Sequence, residues 1–476
     1  MAYKKLNKES VPEAKEISMR IRQISITGLF GVFNHVIPLN SDERITIIHA
    51  PNGYGKTIML KMLDGLFNDR HYELLTIPYE NFQVEFEDGS RLKLDKVGSS
   101  KIDSKKSEMD FKKINLILNF YKKAEEESIH HLNLEYDSCK TYNSSPFDDH
   151  NLSIQQAPQE IWRYRYPVSS PGSPPKVSAR PPFSDFRHSD LDDERWFIQL
   201  KKIVHVYLIE SQRLFSFSES RNERRYPRDP NASPALTVDS YSAELVAQIK
   251  ERLAKYASVS QSLDRSFPTR LLKQSNSNEL TSEELLLKLE DLEKKRNGLI
   301  ETGLLEQDEH ENPQIIQDEI HENMRNILSV YVGDVEEKLR VFDKITGKIN
   351  LFRRIINSKF SYKEIIIDRE KGFIFKSKYP DEYQGSSADL SPDSLSSGEQ
   401  HELVLLYELL FKVPEKSLVL IDEPELSLHV GWQVSFLRDL EEIVNLVDLD
   451  LLIATHSPSI VHGRWDLTVE LKGLPQ

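Results

Sequence analysis

Cysteine is almost absent from this 476-residue sequence. Cys139 stands alone, which excludes an internal disulfide framework and fits a reducing compartment. Long apolar runs are missing as well, and no stretch approaches the roughly 18 residues that would span a bilayer. A basic surplus is also missing: 62 Lys and Arg stand against 76 Asp and Glu, for a net charge of −14. That removes a global electrostatic footprint for wrapping nucleic acid and leaves room only for a local basic groove. The opening segment MAYKKLNKESVPEAKE lacks the apolar centre of a secretion signal. The expectation is a soluble cytoplasmic protein with no membrane partner. Hydrophobic residues at 38% and charged residues at 29% are ordinary for a globular chain with some extended polar parts.

Residues 1–18 read as a flexible leader. From Met19 the pattern becomes strand-like through Ile21, Ile24 and Ile26, then Phe30, Val32 and Phe33, then Val36 and Ile37, with bends at Gly28 and Gly31. Ile45-Thr46-Ile47-Ile48 is a continuous apolar run, as in a strand buried on both faces. Helical spacing of Met59, Met62, Leu63 and Leu66 follows over 57–67. FQVEFEDGSRLKLDKV reads as a hairpin turning at Asp88-Gly89. Between about 97 and 195 the signal degrades, and YRYPVSSPGSPPKVSARPPFSDF reads as loop or disorder. A buried strand is expected over Ile203–Ile209. Residues 240–358 read as mostly helical, with Leu285, Leu289, Leu292 and Leu299 on one stripe. That is too few heptads for a long coiled coil. A strand pair around Asp368–Gly372 leads into a final α/β stretch, and no internal repeat is visible.

The chemistry concentrates at the two ends. Between the strand at 45–48 and the helix lies Ala50-Pro51-Asn52-Gly53-Tyr54-Gly55-Lys56-Thr57. Glycines let consecutive backbone N–H groups curl around a β-phosphate, and the helix N-terminus adds favourable partial charge. Lys56 is the residue type that reaches β- and γ-phosphates, and Thr57 the type that holds Mg²⁺. Asn52, Gly53, Tyr54 and Gly55 supply the cradle. Ala50 replaces the first glycine of the general pattern, at its least demanding position.

Near the other end, Leu418-Val419-Leu420-Ile421-Asp422-Glu423 is an apolar strand finishing in two carboxylates. Asp422 is placed to organise Mg²⁺ and Glu423 to polarise an attacking water as general base. Leu395-Ser396-Ser397-Gly398-Glu399-Gln400 opens an apolar helix. It is an anion site or, equally well on local grounds, a plain N-cap. Leu451–Ser457 is a buried strand running into His456, and a lone histidine there is more often structural than catalytic.

The order of these four motifs resembles the ABC ATPase superfamily rather than the AAA+ unfoldases, with LSSGEQ standing for the LSGGQ signature. The resemblance implies an α/β ABC ATPase head: a mixed sheet with an antiparallel subdomain and a P-loop core, interrupted by a helical insertion forming a short arm. It implies ATP and Mg²⁺ as ligands, Ser396 and Gly398 as signature residues on the γ-phosphate, His456 as the switch histidine, and 424–429 (PELSLH) as the D-loop. Ser397 in place of a glycine and the Glu399-Gln400 pair depart from the pattern without touching Ser396 or Gly398. For the Q-loop glutamine that senses Mg²⁺ and nucleotide, Gln212 is the candidate, because it follows a buried strand into a polar loop. Gln83, inside an alternating strand, is the rival. Phe30 or Phe33 could stack on adenine, or serve only as core and hairpin residues.

The two ends, about 19–95 and 360–470, are further similar to a bacterial group of stand-alone SMC-like ATPases. Its relatives include the overcoming-lysogenisation-defect, Septu, PARIS and retron-associated ATPases of anti-phage defence. The Toprim nuclease domain that continues the first of these is not expected here. The organisation implied is a leader (1–18), an N-terminal head lobe (19–96), an insertion (97–200) and a return strand with Q-loop (201–239). A helical arm (240–358) and a C-terminal head lobe (359–476) complete it. The function implied is slow ATP hydrolysis in a head-to-tail dimer or higher oligomer. Such an assembly would sense or scaffold a separate effector, a nuclease or toxin from the same operon. A DNA-repair or recombination ATPase clamping DNA is the alternative, and a transporter-like energy module a poorer third. Arg221, Arg224, Arg225, Arg228 and the lysines of 101–106 are the local basic candidates for DNA, or simply solvated loops.

Overall fold

The computed structural model describes residues 19–97, 114–136, 186–188, 191–209, 237–273, 281–306, 322–379 and 389–471, apart from isolated positions. The leader, the Pro/Ser-rich stretch, Gln212 and the basic candidates at 101–106 and 221–228 lie outside these residues. The chain divides into two units. The first holds residues up to 42, 50–206 and the last residues from 469, and the second holds 43–49 and 207–468.

The first unit is built on antiparallel strands. β1 (Ile21–Leu29) and β2 (Phe33–Pro38) form a hairpin whose bends are Gly28 and Gly31, at φ +65° and +73°. β3 (Ile45–His49) is lent to the second unit. Two helices follow, α1 (Lys56–Phe67) and α2 (His71–Thr76). Next, β4 (Asn81–Phe86) and β5 (Arg91–Val97) pair through the Asp88-Gly89 turn as the alternation of Phe82, Val84 and Phe86 requires. Strands β6 (Ile114–Tyr121), β7 (His130–Tyr136) and β8 (Phe186–His188) extend this sheet to seven, in the order β2-β1-β4-β5-β6-β7-β8. Its buried face is a period-2 ladder of Leu92, Leu94, Leu116, Leu118, Leu132 and Leu134.

Helix α3 (Leu191–Ile203) then leads to β9 (Val206–Ile209). The strand expected over 203–209 is therefore confined to its second half. Phe197, Leu200 and Val204 are buried at helical spacing, whereas Ile203 is 37% exposed at the helix end. The apolar run at the junction concealed the boundary.

The second unit carries the helical insertion. It comprises α4 (Thr237–Lys273), α5 (Ser282–Glu301), α6 (Glu322–Arg340) and α7 (Asp343–Lys359). Thr281 starts α5 through a capping box with Glu284, and Leu285 and Leu299 of the expected stripe are buried. A small sheet follows from β10 (Lys363–Asp368), β11 (Gly372–Ser377) and the short β12 (Asp389–Leu390). Helix α8 (Ser397–Tyr407) relaxes into a π-helical turn at Glu408–Lys412. Then come β13 (Leu418–Asp422), α9 (Val430–Val447), β14 (Asp450–Thr455) and β15 (Thr468–Glu470). The second sheet runs β15-β3-β14-β13-β9. Its central strands β3, β14 and β13 are parallel and buried on both faces, which is why their sequences are unbroken apolar runs. Antiparallel sheet, parallel P-loop sheet and helical insertion together make the α/β head-like fold expected from the motif order.

Candidate functional site

The register of the parallel strands sets the geometry. Asp422 pairs with Ala454, and Thr455 pairs with His49, so β13, β14 and β3 finish level at their carboxyl ends. Each end delivers one motif: β13 delivers Asp422 and Glu423, and β14 delivers Thr455 and His456. The peptide bond after β3 begins the loop at Ala50. The carboxyl edge of a parallel sheet is where ligands of open α/β folds bind.

In the first unit, loop 50–57 is shaped for a phosphate. Gly53 and Gly55 adopt φ +89° and +86°, a left-handed backbone that glycine adopts without a Cβ penalty. Gly55 is also the N-cap of α1, and a Cβ there would lie 2.6 Å from the Leu29 side chain. Lys56 is buried and curls back over the loop, its Nζ donating to the carbonyls of Ala50 at 2.7 Å and Pro51 at 3.2 Å. Thr57 lies in the first turn of α1, whose leading N–H groups have no helical acceptor.

Tyr54 is braced from β2. Its ring stacks on Phe33 at 5.5 Å, Phe33 stacks on His35 at 5.5 Å, and His35 Nε2 lies 3.1 Å from the Tyr54 carbonyl. Burial pushes the His35 pKa down, against the opposing pull of that carbonyl. Phe33 therefore has a partner in the loop itself, while Phe30 stays 42% exposed at φ +54°. Gln83 sits mid-strand in β4 opposite Ser25 and Lys93, as alternation predicts for an outward polar residue.

In the second unit, Glu423 takes φ +44°, a rare value for a side-chain-bearing residue and the kind of local strain that clusters at functional sites. Its N–H donates to the Ala454 carbonyl at 2.8 Å and its own carbonyl accepts from Leu426 N–H at 3.2 Å, so the turn after β13 is tied to the end of β14. His456 Nδ1 lies 3.7 Å from Glu423 Oε1 and 3.1 Å from Glu425 Oε1. Glu425 was not singled out by sequence reasoning. A second acid two residues after a strand-ending acid pair is too common a pattern to mark it.

Ser396 is the N-cap of α8 and closes a capping box: its Oγ accepts from Glu399 N–H at 3.3 Å, and Glu399 Oε2 accepts from Ser396 N–H at 2.7 Å. The N-cap role weighed for this serine is thus realised, and its O–H remains a donor in an exposed position. Burial works against an ionised Glu399, yet Lys363 and the Ser396 N–H hold its carboxyl below the usual range. Gln400 is buried and donates to the carbonyls of Pro392 and Leu395, fixing the loop that presents Ser396 and Gly398.

Within each unit the donor chemistry suits the expected ligands, ATP and Mg²⁺. In the first, Lys56 offers a cationic donor beside the neutral loop N–H groups and the Thr57 hydroxyl, and in the second Asp422 offers hard carboxylate oxygens. Among the described residues no cluster of three His, Cys, Asp or Glu could hold a metal. Mg²⁺ needs none, because it keeps waters and phosphate oxygens around one or two protein ligands.

Residues 19–461, most of the chain, match the family described as AAA ATPase domain. The chain belongs to that family. A 67-residue stretch is 42% identical to protein ea59 of Escherichia phage lambda, spanning 14% of this chain and 13% of that protein. Among solved structures, the Smc head domain of Pyrococcus furiosus, bound to the C-terminal domain of ScpA, is 11% identical. That alignment covers 96% of this chain and 94% of the other at a TM-score of 0.31. The SMC head domain of Thermotoga maritima is 10% identical over 93% and 91%, with a TM-score of 0.28. Likeness at this level says nothing of what the chain binds. No helix among the described residues is long and apolar enough to cross a membrane.

Proposed function

We propose that this member of the AAA ATPase domain family is an ABC-type, SMC-like ATPase that binds and slowly hydrolyses ATP in a head-to-tail dimer. The observation that carries the reading is the level finish of β13, β14 and β3, which brings an acid pair, a histidine and the start of a glycine-turned loop to one sheet edge. Thr57 and Asp422 would hold Mg²⁺, which neutralises charge on the β- and γ-oxygens when bound. Lys56 and the N–H groups of Gly53, Tyr54 and Gly55 grip the phosphates. Glu423 orients and polarises the attacking water, and His456 meets the γ-phosphate. Ser396 and Gly398 of a second copy complete the donor set, acting on charge that develops in the transition state.

The head-to-tail arrangement is supported by the exposure of Ser396 at a helix N-terminus, with a hydroxyl able to donate outward. On this reading ATP holds two heads together and hydrolysis releases them, as in a switch. The dimer is proposed to sense or scaffold a separate effector in anti-phage defence, resting on the resemblance of the two chain ends to ATPases of such systems. Affinity purification of Glu423→Gln from its native operon tests this, since slowed hydrolysis traps the ATP-bound assembly. A stoichiometric neighbour-encoded protein is expected. Co-purifying DNA without a protein partner would replace the defence reading with the DNA-clamp reading.

A further inference from the structure

The Glu425 carboxylate is nearly enclosed, with its side chain 6% exposed, and its two oxygens are treated unequally. Oε1 collects the Thr455 hydroxyl at 2.8 Å and the His456 backbone N–H at 2.9 Å, and it lies 3.1 Å from His456 Nδ1. Oε2 is buried without a hydrogen-bond partner. A carboxylate withdrawn from water is costly to keep, and one with an idle oxygen is costlier. An apolar side chain would fill the same space without that cost, so packing alone does not account for the acid.

What the acid does follows from its position. Glu425 lies in the short 3₁₀ turn Pro424–Leu426, directly after the Asp422-Glu423 pair. That turn is braced from below, since Gln433 donates to the carbonyls of Glu425 and Leu428 and accepts from the Ser457 hydroxyl. The segment bearing the acid and the segment bearing the histidine are therefore held together at fixed spacing. We infer that Glu425 is a positioning residue: it holds His456 by the Nδ1 edge, placing the proton there and turning Nε2 outward as the nitrogen left to meet a ligand. The partner of one imidazole nitrogen dictates the state of the other. Through the same turn, any movement of the 424–429 segment is passed to His456. The catalytic consequence rests on the ATPase reading given above, whereas the placement of the ring does not.

Two measurements test this separately. The first follows the ring. In ¹⁵N-histidine-labelled full-length protein, with the His456 signals assigned by their loss in His456→Gln, Nδ1 is expected to carry the proton. Glu425→Gln is expected to shift these signals and leave the other histidines in place. Unchanged His456 signals in a folded Glu425→Gln protein would overturn the inference. The second is a hydrolysis cycle. Glu425→Ala is expected to lower kcat by roughly ten- to a hundredfold, by analogy with the loss when the hydrogen-bond partner of a metal-ligating histidine is removed, with KM little changed. On a His456→Ala background the same substitution should cost less than about threefold, because the pair acts as one unit. Equal losses on both backgrounds, or a loss confined to KM, would overturn it. Glu425→Asp, which keeps the charge on a shorter arm, should recover part of kcat. A folded wild-type chain that hydrolyses no ATP would sink the ATPase reading, and the ring signals would then decide the placement alone.

Discussion

At the scale of single residues, the site depends on side chains held against their ordinary preference. His35 is an instance, buried beneath the Tyr54 carbonyl with its pKa pushed below the usual 6.5. Below pH 6.5 the unfolded chain takes up a proton that the folded chain declines. The stabilising effect of keeping His35 neutral is therefore complete above that value and is lost as pH falls. His35→Gln keeps a donor for the Tyr54 carbonyl but cannot titrate. Its denaturation midpoint should fall less than that of the wild type between pH 7 and 5.5, and parallel slopes would show that His35 contributes nothing. Glu423, at φ +44°, belongs to the same class: a strained backbone that the Ala454 carbonyl and the following turn hold in place.

At the scale of elements, three helices of the second unit share one buried ion cluster. Lys359 at the end of α7 pairs with Glu402 of α8 and, at 2.8 Å, with Asp439 of α9, all with side chains at most 7% exposed. The helix capped by Ser396 is thereby tied to the helix that follows the 424–429 segment. Lys359→Met should destabilise the protein by about 3–5 kcal/mol, because it leaves Glu402 buried without its cation and Asp439 with only the exposed Arg438, at 3.9 Å. Replacing all three with apolar residues of similar volume should recover most of that loss. Calorimetric or denaturant unfolding of the single and triple variants reads the difference, and a near-neutral Lys359→Met would contradict the account. The elements differ in how legible they were. β3, α1, the β4–β5 hairpin and β13 announce themselves because burial on both faces or strict alternation leaves little choice of residue. β6 and β7 alternate just as cleanly, through Leu116 and Leu118 and through Leu132 and Leu134, but they are flanked by polar stretches that carry no pattern. At 203–205 helix and strand meet inside one apolar run, where periodicity cannot mark the boundary.

At the scale of the whole chain, the candidate motifs are spread from Ala50 to His456 and fall in both units. Sequence order was enough to propose them as candidates, because Lys56 and His456 come after buried strands and Asp422 and Glu423 close another, where local chemistry restricts what can stand there. Glu425 was invisible for the opposite reason. Its role comes from the hydrogen bonds to Thr455 and His456, some thirty residues away, and nothing in its own neighbourhood demands it. Ser396 shows the middle case: the same residue suits a capping box and the proposed signature, so sequence could not separate the two roles, and the fold realises the first.

The central claim is that Glu423 drives hydrolysis of a nucleotide gripped by loop 50–57, and phosphate release tests it most directly. Wild-type protein and Glu423→Gln should bind a fluorescent ATP analogue with Mg²⁺ to within about twofold of each other. Phosphate release by the variant should fall by roughly a hundredfold or more, the scale on which general-base catalysis contributes. Wild-type turnover should stay below about ten per second, the median for enzymes, as suits a switch. A Glu423→Gln protein that binds nucleotide and still releases phosphate at the wild-type rate would contradict the account.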